Sequence, residues 1–262
     1  MAEEADDLPV LACPHCGQAF RQVPHGIICP SGHAFDQAKE GYFNLLPGGR
    51  LPSSSTSGDT AESLQARRRF LHADWYQPIA QALQNALGTH VGPVLDVGCG
   101  EGWYLSQLES HQKFGLDISK RAVQMASKLI PNAQFIVGTA HRLPILNESC
   151  DAVFTVFAPH SHSEYLRVLR LGGRWVTVTP GPQHLHEMRP KKDPSIEERE
   201  RRRSEPPQES QHAERVTFSL SLPINAAHDL FSMTPLRWQT AADATPVTSV
   251  TADVWVSWGT SL

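Results

Sequence analysis

The stretch Val94-Leu-Asp-Val-Gly-Cys-Gly-Glu-Gly-Trp103 decides the fold of this chain. Its apolar first half predicts a buried strand, its three glycines predict a tight turn, and the apolar spacing of residues 103–109 predicts a helix. Glycine suits such a turn because it adopts backbone angles closed to other residues and lets a ligand approach the main chain. The start of the helix adds free N–H groups, so the whole stretch predicts a nucleotide-binding corner.

Two acidic residues beside this turn indicate which ligand it binds. Dinucleotide-binding folds usually place the motif G-x-G-x-x-G around a pyrophosphate. Here the motif is G-x-G-x-G and follows Asp96. An acidic side chain at this position favours a positively charged ligand over a phosphate. A second predicted strand ends in Asp117, which is placed to accept hydrogen bonds from two ribose hydroxyls. The pattern therefore predicts S-adenosylmethionine binding, and the alternative is a tight turn in an unrelated α/β domain. The predicted cofactor-binding residues of this corner are Asp96, Gly98, Gly100, Gly102 and Asp117.

From residue 93 onward, predicted strands and helices alternate, as they do in a parallel sheet with helices on both faces. Predicted strands cover residues 94–97, 113–117, 134–137, 152–157 and 174–179, and predicted helices cover residues 103–109, 119–129 and 163–169. The fold class is thus α/β, of the class I (Rossmann-like) kind that S-adenosylmethionine-dependent methyltransferases use. Since ligands gather at the carboxyl ends of such strands, His141, Arg142, Ala158 and His184 become candidate site residues.

The segments on either side of this alternating region also carry patterns. Asp59 and Glu62 resemble a helix-start capping pair, and the apolar spacing predicts helical structure as far as residue 88. Pro78 must interrupt it, so two helices should meet near residues 75–76. Towards the end of the chain, residues 216–222 and 250–258 alternate like strands, and residues 225–233 predict a helix.

Three of the five cysteines lie within the first thirty residues. Cys13-Pro-His-Cys16 and Cys29-Pro-Ser-Gly-His33 give the spacing C-x2-C-x12-C-x3-H, in which each turn aims two ligands at one metal ion. Cys13, Cys16, Cys29 and His33 are therefore the predicted ligands of a structural Zn²⁺, because four protein ligands leave no position for water. His25 is an alternative fourth ligand, and a disulfide is the weaker alternative in a cytoplasmic protein.

Length and composition are those of a globular protein. The chain has 262 residues, of which 40% are hydrophobic and 19% charged, enough for one α/β domain plus a small module. No apolar run approaches the roughly 18 residues of a membrane span. The start of the chain contains Glu3, Glu4, Asp6 and Asp7, whereas a signal peptide would begin with basic residues. We therefore expect a cytoplasmic protein without a membrane partner. The net charge of −4 limits any nucleic-acid contact to a local surface.

The order of motifs resembles the bacterial RlmA family, the zinc-containing methyltransferases that modify N1 of a guanine in large-subunit (23S) ribosomal RNA. The motifs, which run from Cys13 to about Glu187, are Cys-Pro-x-Cys, Cys-Pro-x-x-His-x-Phe-Asp-x-Ala-Lys-Glu-Gly-Tyr, Gly-Asp-x-Ala-Glu, Gln-Ala-Arg-Arg, Tyr-Gln-Pro, Leu-Asp-x-Gly-Cys-Gly-Glu-Gly, His-Arg-Leu-Pro, Phe-Ala-Pro and Thr-Pro-Gly-Pro-x-His-Leu. The resemblance implies S-adenosylmethionine and Zn²⁺ as cofactors, a ribosomal RNA hairpin as substrate, and a homodimer. It adds further cofactor-binding positions, which are Tyr76, Glu101, His141, Arg142 and His184. The match weakens after Met188, where the chain becomes strongly charged.

The resemblance also assigns functions to the predicted segments. Residues 8–46 are the predicted zinc ribbon, which should recognise RNA, and residues 47–58 are a Pro/Gly/Ser-rich segment typical of a flexible linker. Residues 59–262 are the predicted methyltransferase domain, with a charged insertion at about residues 189–213. A module below about 40 residues depends on its metal, and the linker predicts that the ribbon and the cofactor site unfold separately.

Methylation of guanine N1 requires loss of the N1 proton, so a nearby base would help. His160 and His184 both follow predicted strands and are candidate proton acceptors, although a lone loop histidine is more often structural or solvated. The catalytic residue is otherwise unknown from the sequence. Two other functions stay open, namely a small-molecule methyltransferase and an RNA- or protein-binding adaptor whose methyltransferase fold is inactive.

Overall fold

The computed structural model describes residues 10–49, 60–89, 92–110, 112–189, 198, 202–238 and 247–262. Most of the predicted linker, residues 50–58, lies outside these residues, and so do residues 190–197 and 199–201 of the predicted charged insertion. Within the described part of the chain, no helix has the length and apolar character needed to cross a membrane.

The chain forms two compact units. Unit 1 comprises residues 1–56, 89–175 and 260–262, and unit 2 comprises residues 57–88 and 176–259. The ribbon residues therefore share a unit with the glycine corner, and the two N-terminal helices share a unit with the C-terminal strands. The domain boundaries at residues 46 and 59 stay predictions from composition, which does not reveal which distant segments pack together.

The centre of unit 1 is a parallel sheet. Its strands are β5 (Val94–Val97), β6 (Lys113–Asp117), β7 (Gln134–Val137) and β8 (Cys150–Val156). β5 lies between β6 and β8, and β6 pairs with β7 on its other side. Every residue of β5 and β8 is buried, as in strands that are covered on both faces. The predicted parallel arrangement is confirmed.

Two helices connect these strands, α3 (Trp103–Ser106) between β5 and β6 and α4 (Lys120–Leu129) between β6 and β7, and a third, α5 (His162–Val168), follows β8. α4 begins where Ser119 Oγ accepts a hydrogen bond from the backbone N–H of Ala122 at 3.3 Å, a typical N-cap. α3 is shorter than predicted and ends at Ser106, whose hydroxyl donates to the carbonyl of Trp103. Such a side-chain bond competes with the helical backbone pattern.

The ribbon has a small antiparallel sheet of β1 (Arg21–Val23), β2 (Gly26–Ile28) and β3 (Ala34–Asp36). It is followed by β4 (Phe43–Asn44), which the sequence did not predict. β4 pairs in parallel with β7, with Phe43 opposite Ile136 and Asn44 opposite Val137. The ribbon segment thus supplies a strand to the central sheet of unit 1.

A second connection joins the start of the ribbon to the loop before β8. The N–H of Ala12 donates to the carbonyl of Pro144 at 2.9 Å, and the N–H of Leu146 donates to the carbonyl of Val10 at 2.8 Å. Leu11 between them is fully buried in one apolar core that continues to the central strands. The ribbon contacts the rest of unit 1 at both of its ends. The packing therefore does not support the expectation that the ribbon unfolds separately from the cofactor site.

Unit 2 contains α1 (Ala61–His72), α2 (Gln77–Leu87) and α6 (Ile224–Met233). α1 is capped by Thr60, whose Oγ1 accepts from the N–H of Ser63 at 3.1 Å, rather than by the predicted pair with Asp59, which lies outside the described residues. The predicted interruption near residues 75–76 is confirmed, because α2 begins at Gln77 with Pro78 in its first turn.

Three long strands complete the described chain. β9 (Leu169–Pro180) passes from unit 1 into unit 2 after Trp175, and β10 (His212–Ser221) and β11 (Ser249–Thr260) lie in unit 2 except for Thr260. β10 and β11 pair antiparallel over ten residue pairs, from His212 opposite Trp258 to Ser221 opposite Ser249. The two strands that the sequence predicts at residues 216–222 and 250–258 are thus present.

Candidate cofactor and zinc sites

The four predicted zinc ligands come together at one end of the ribbon. The ligand atoms of Cys13, Cys16, Cys29 and His33 all lie within 4.8 Å of one another. His33 presents Nδ1 to this cluster, at 3.6 Å from Cys13 Sγ and 3.3 Å from Cys29 Sγ. His15 stacks beside His33 and Phe35 with its ring outside the cluster.

The spacing within this cluster fits a tetrahedral ion. Zinc bonds of about 2.3 Å to sulfur and about 2.0–2.1 Å to nitrogen place two sulfurs about 3.8 Å apart and a sulfur and a nitrogen about 3.6 Å apart. Cys16 Sγ and Cys29 Sγ are 3.6 Å apart, and both cysteines are free thiols. Three thiolates and one imidazole filling every position are the donor set of structural rather than catalytic zinc.

The thiol chemistry of the cluster favours metal binding. A hydrogen bond from the backbone N–H of Gln18 is the main reason that the pKa of Cys16 falls to about 6. A thiol with that pKa is largely ionised at neutral pH, and the thiolate is the form that binds metal. Burial instead raises the pKa of Cys13, so a cation is needed to hold that sulfur as a thiolate.

The glycine corner is closed by backbone hydrogen bonds across β5 and β6. The N–H groups of Gly98 and Cys99 both donate to the carbonyl of Leu116, at 2.7 and 3.0 Å. The N–H of Gly100 donates to Asp117 Oδ2 at 2.9 Å, and that of Ser119 to Oδ1 at 2.7 Å. Both carboxylate oxygens of Asp117 thus accept from backbone N–H groups and hold the glycine turn to the end of β6.

Gly98 is required for two separate reasons. Its φ of +77° lies in the left-handed region that side chains disfavour. A Cβ atom at this position would also lie 2.3 Å from the Cβ of Ala158, which follows β8. The corner is therefore in direct contact with the segment after β8, and both belong to unit 1.

Three carboxyl groups surround this corner. Asp96 and Glu101 are buried, and Asp117 is half-buried. Burial is the main reason that the pKa of Asp96 lies well above its ordinary value, and the charges of Asp117 and Glu101 raise it further. Acids that oppose one another's ionisation are stabilised by a cation among them, so the electrostatics of the corner suit a positively charged ligand and oppose a phosphate.

His141 and Arg142 follow β7, at the same carboxyl edge of the sheet as the corner, and both are exposed. The residues after them are held by α5. The N–H of Leu143 donates to Glu164 Oε2 at 2.7 Å, and Arg167 donates to the carbonyls of Leu143 and Ile145 while pairing with Glu164. This fixed support positions the exposed pair relative to the sheet.

Tyr76 and His184 belong to unit 2, where the structure brings them together. Their ring centroids are 6.3 Å apart. The N–H of Asp253 donates to His184 Nδ1 at 3.3 Å. Burial, aided by the charges of Arg203 and Arg189, lowers the pKa of His184 to about 4, so the imidazole is neutral at pH 7. Because Nδ1 accepts a hydrogen bond, the proton of the neutral ring resides on Nε2.

The loop that carries His184 is held by Asp253, whose side chain is fully buried. Asp253 accepts hydrogen bonds from the N–H of Gln183 at 2.8 Å, from Thr217 Oγ1 at 2.9 Å and from two guanidinium nitrogens of Arg215 at 2.8 and 2.9 Å. The N–H of Gly181 also donates to its carbonyl at 2.7 Å. The bonds from Gly181 and Gln183 fix the loop onto β11, and those from Thr217 and Arg215 hold the carboxylate of Asp253 in place.

His160, the other predicted proton acceptor, lies in unit 1 just after β8. Its ring stacks on the buried ring of Tyr165, with centroids 5.4 Å apart and planes inclined by 20°. Ala158, two residues earlier, contacts the glycine corner. The structure thus places His160 on the segment that borders the corner.

Comparison with known proteins identifies the relatives of this chain. Residues 11–50 match the family model described as "RlmA, N-terminal", and residues 94–177 match that described as "Methyltransferase domain". A Micromonospora griseorubida protein, provisionally named 23S rRNA (guanine-N(1)-)-methyltransferase, is 36% identical over 90% of this chain and 89% of its own. The Streptomyces fradiae protein named 23S rRNA (guanine(748)-N(1))-methyltransferase is 34% identical over 68% of this chain and 66% of its own.

The chain belongs to the RlmA family. The family resemblance expected from the sequence is thereby confirmed. Among solved structures, Haemonchus contortus phosphoethanolamine N-methyltransferase 2, in complex with phosphomonomethylethanolamine and S-adenosylhomocysteine, aligns with a TM-score of 0.50 at 14% identity. That alignment covers 79% of this chain and 59% of the other. At this identity the likeness shows the fold alone, and it is the predicted class I methyltransferase fold.

The sequence of this RlmA-family protein did not reveal two supporting residues. Thr155 donates its hydroxyl to the carbonyl of Val97 at 2.6 Å and joins β8 to the strand before the corner. A single threonine within an apolar strand carries no sequence pattern that would predict this hydrogen bond. Asp253 gave no signal either, because it lies in the alternate, polar phase between the apolar positions Val250, Val254 and Val256.

Proposed function

We propose that this protein transfers a methyl group from S-adenosylmethionine to N1 of a guanine in 23S ribosomal RNA. The observation that carries the proposal is the 36% identity to the Micromonospora relative over nine-tenths of both chains. The named activity of the Streptomyces relative supports the same reaction. The enzyme would act where ribosomes are, in the cytoplasm.

The glycine corner fits S-adenosylmethionine. We assign the ribose hydroxyls to Asp117, because that carboxylate ends β6 and is bonded to the N–H of Gly100 in the glycine turn. The positively charged end of the cofactor would be stabilised by the buried carboxyl groups of Asp96 and Glu101. The turn Gly98–Gly102 lets the cofactor approach the backbone, since none of its three glycines carries a side chain. His141 and Arg142 are the proposed contacts from the end of β7.

S-adenosylmethionine supplies an electrophilic methyl group on a sulfonium. Methyl transfer is an in-line displacement, so the protein accelerates it mainly by aligning the acceptor with that group. Guanine N1 is protonated and paired in RNA helices, so the base must be exposed before it can react. The residues after β8 are the part of unit 1 that can border the acceptor, because Ala158 touches Gly98.

The two predicted histidines take different proposed roles. We propose His184 as a hydrogen-bond donor through Nε2, since its Nδ1 accepts from Asp253 and its pKa of about 4 leaves the ring without a basic nitrogen at neutral pH. Tyr76, whose ring centroid lies 6.3 Å from that of His184, stays a proposed cofactor contact with it on the family resemblance alone. Of the two, His160 is the better proposed proton acceptor, because it lies on the segment that borders the corner.

The zinc ribbon has a structural role in this proposal. The donor set of Cys13, Cys16, Cys29 and His33 leaves no open position for catalysis. We propose that the ribbon surface contacts the RNA, which would be a hairpin of the ribosomal RNA bound by a homodimer. Phosphate contacts of this kind weaken as the salt concentration rises.

The direct test is methylation of unmodified 23S ribosomal RNA with labelled S-adenosylmethionine, followed by primer extension. Methylation at N1 blocks the Watson–Crick edge of the guanine, so reverse transcription should stop one nucleotide before it. Labelled RNA that is copied without a stop would place the methyl group on another atom.

A binding titration with S-adenosylmethionine separates the alternative functions. Binding without RNA methylation would favour a small-molecule methyltransferase, and absence of binding would favour an inactive adaptor. Gly100→Arg is the matched control, because an arginine at this left-handed position would fill the cofactor site and add positive charge.

A further inference from the structure

Phe157 has a backbone conformation that its side chain disfavours. It follows β8 directly, with a φ of +56° in the left-handed region, where the Cβ of an L-residue crowds the following carbonyl. Its side chain is 38% exposed, so only part of the ring is packed against protein. Strain of this kind persists where the surroundings enforce it, and it clusters at ligand-binding sites.

The residues on both sides of Phe157 enforce this conformation. Two positions before it, Thr155 donates its hydroxyl to the carbonyl of Val97 at 2.6 Å. One position after it, Ala158 is packed so closely on the corner that a Cβ at Gly98 would lie 2.3 Å from its own Cβ. With both neighbours attached to the corner, the chain between them turns the ring of Phe157 outwards.

The order of the strands places Phe157 on a defined side of the corner. β5 carries the glycine turn, β6 lies on one side of it with Asp117 at its end, and β8 lies on the other side. If Asp117 holds the ribose and Asp96 and Glu101 hold the positively charged end of the cofactor, that end, which carries the methyl group, extends across the turn towards β8. The base that receives the methyl group must then approach from the side of Phe157.

We propose that the ring of Phe157 is the surface on which the target guanine stacks. The inference rests on the proposed function and adds the residue that positions the base. An exposed aromatic ring is suited to this role, because an unpaired base loses its stacking partners in the RNA and regains one on the protein. Every base has a π face, so Phe157 would hold the guanine in line without selecting its identity.

The test compares Phe157→Gly, Phe157→Trp and the wild type. Glycine removes the ring and relieves the left-handed conformation, so the melting temperature should stay equal or rise. The value of kcat/KM for ribosomal RNA should nevertheless fall by roughly 5- to 150-fold, the range measured for losing one stacked base. The dissociation constant for S-adenosylmethionine should remain within about twofold of the wild type. Tryptophan should retain most of the activity, because it presents a larger ring.

Leu166→Ala is the matched control. Leu166 is similarly exposed, at 43%, but lies on α5 rather than at the end of a strand. This variant should methylate RNA at the wild-type rate.

Three results would overturn the inference. These are wild-type methylation by Phe157→Gly, an equal loss in Phe157→Trp, and a loss explained by weaker cofactor binding. Failure of the wild type to methylate guanine N1 would instead refute the proposed function, and this inference with it.

Discussion

Replacing Asp253 with asparagine should loosen the loop that carries His184. The fully buried carboxylate accepts four hydrogen bonds, two of them from the guanidinium of Arg215. Asparagine keeps the size of the side chain but loses the charge, and its NH₂ group faces donors where the aspartate presents an acceptor. The substitution thus breaks the pairing without creating a cavity.

The structure gives the expected size of this effect. Charge-assisted hydrogen bonds contribute about 1.5–3 kcal/mol each, and removing one partner of a buried ion pair costs about 3–5 kcal/mol. Arg215 is 38% exposed and can regain water after the substitution, which reduces the cost. We therefore expect Asp253→Asn to lower the free energy of unfolding by about 2–4 kcal/mol at neutral pH.

The same substitution should change the pH dependence of stability. Burial alone would raise the pKa of Asp253, but the hydrogen bonds from Arg215, Gln183 and Thr217 outweigh it and hold the pKa below its ordinary value. A depressed pKa contributes stability that is complete above the unfolded value of about 3.9 and is lost as the pH falls through the folded value. The difference between wild type and variant should therefore shrink below about pH 4.

Urea unfolding at several pH values, with parallel titrations of S-adenosylmethionine, measures both effects. The matched control is Asp151→Asn in unit 1, another buried acid, which pairs with Arg170 and the N–H of Gly92. Both variants should lose stability, but only Asp253→Asn should weaken cofactor binding by loosening the His184 loop. Unchanged stability of Asp253→Asn, or a stability difference that persists undiminished at pH 3, would refute this account of the loop.

Three further predictions concern the cofactor and zinc sites. Asp96→Ala should abolish S-adenosylmethionine binding in calorimetry while the far-UV circular dichroism stays native, and wild-type affinity would remove Asp96 from the site. Cys29→Ala should lose zinc, as measured by metal analysis. It should also lower the unfolding midpoint of unit 1 as a whole, because the ribbon segment pairs with β7. Unfolding of the ribbon alone would contradict the shared packing. His184 should not titrate between pH 5.5 and 7, because its pKa is about 4. The NMR signals of its ring should therefore not shift in this pH range. A titration midpoint near pH 6.5 would show that the ring is solvated.

The local parts of this fold were predictable because they are encoded in contiguous residues. β6 and β7 have the predicted bounds, since each is an apolar run that ends at a polar residue or a glycine. The glycine corner was predictable for the same reason, as glycine is nearly obligatory where φ is positive. The clustering of Cys13, Cys16, Cys29 and His33 was predictable from their spacing, which left only His25 as an alternative to His33.

The features that the sequence did not predict depend on contacts between distant segments. β4 has only two residues, Phe43 and Asn44, which is too short to show periodicity, and its partner lies more than ninety residues away. The role of Asp253 depends on the register that sets it opposite Thr217 in β10. The left-handed conformation of Phe157 results from attachments on both sides, neither of which is visible in the Phe-Ala-Pro motif.

The pairing of β4 with β7 has a practical consequence for shortened forms of this protein. A chain that began after residue 46 would keep every residue of the glycine corner but would leave one side of β7 without its strand. Ile136 and Val137, now fully buried, would border an open row of N–H and C=O groups. Open apolar edges of this kind join other chains, so the shortened protein should precipitate on expression, and biochemical work should retain the sequence from residue 10.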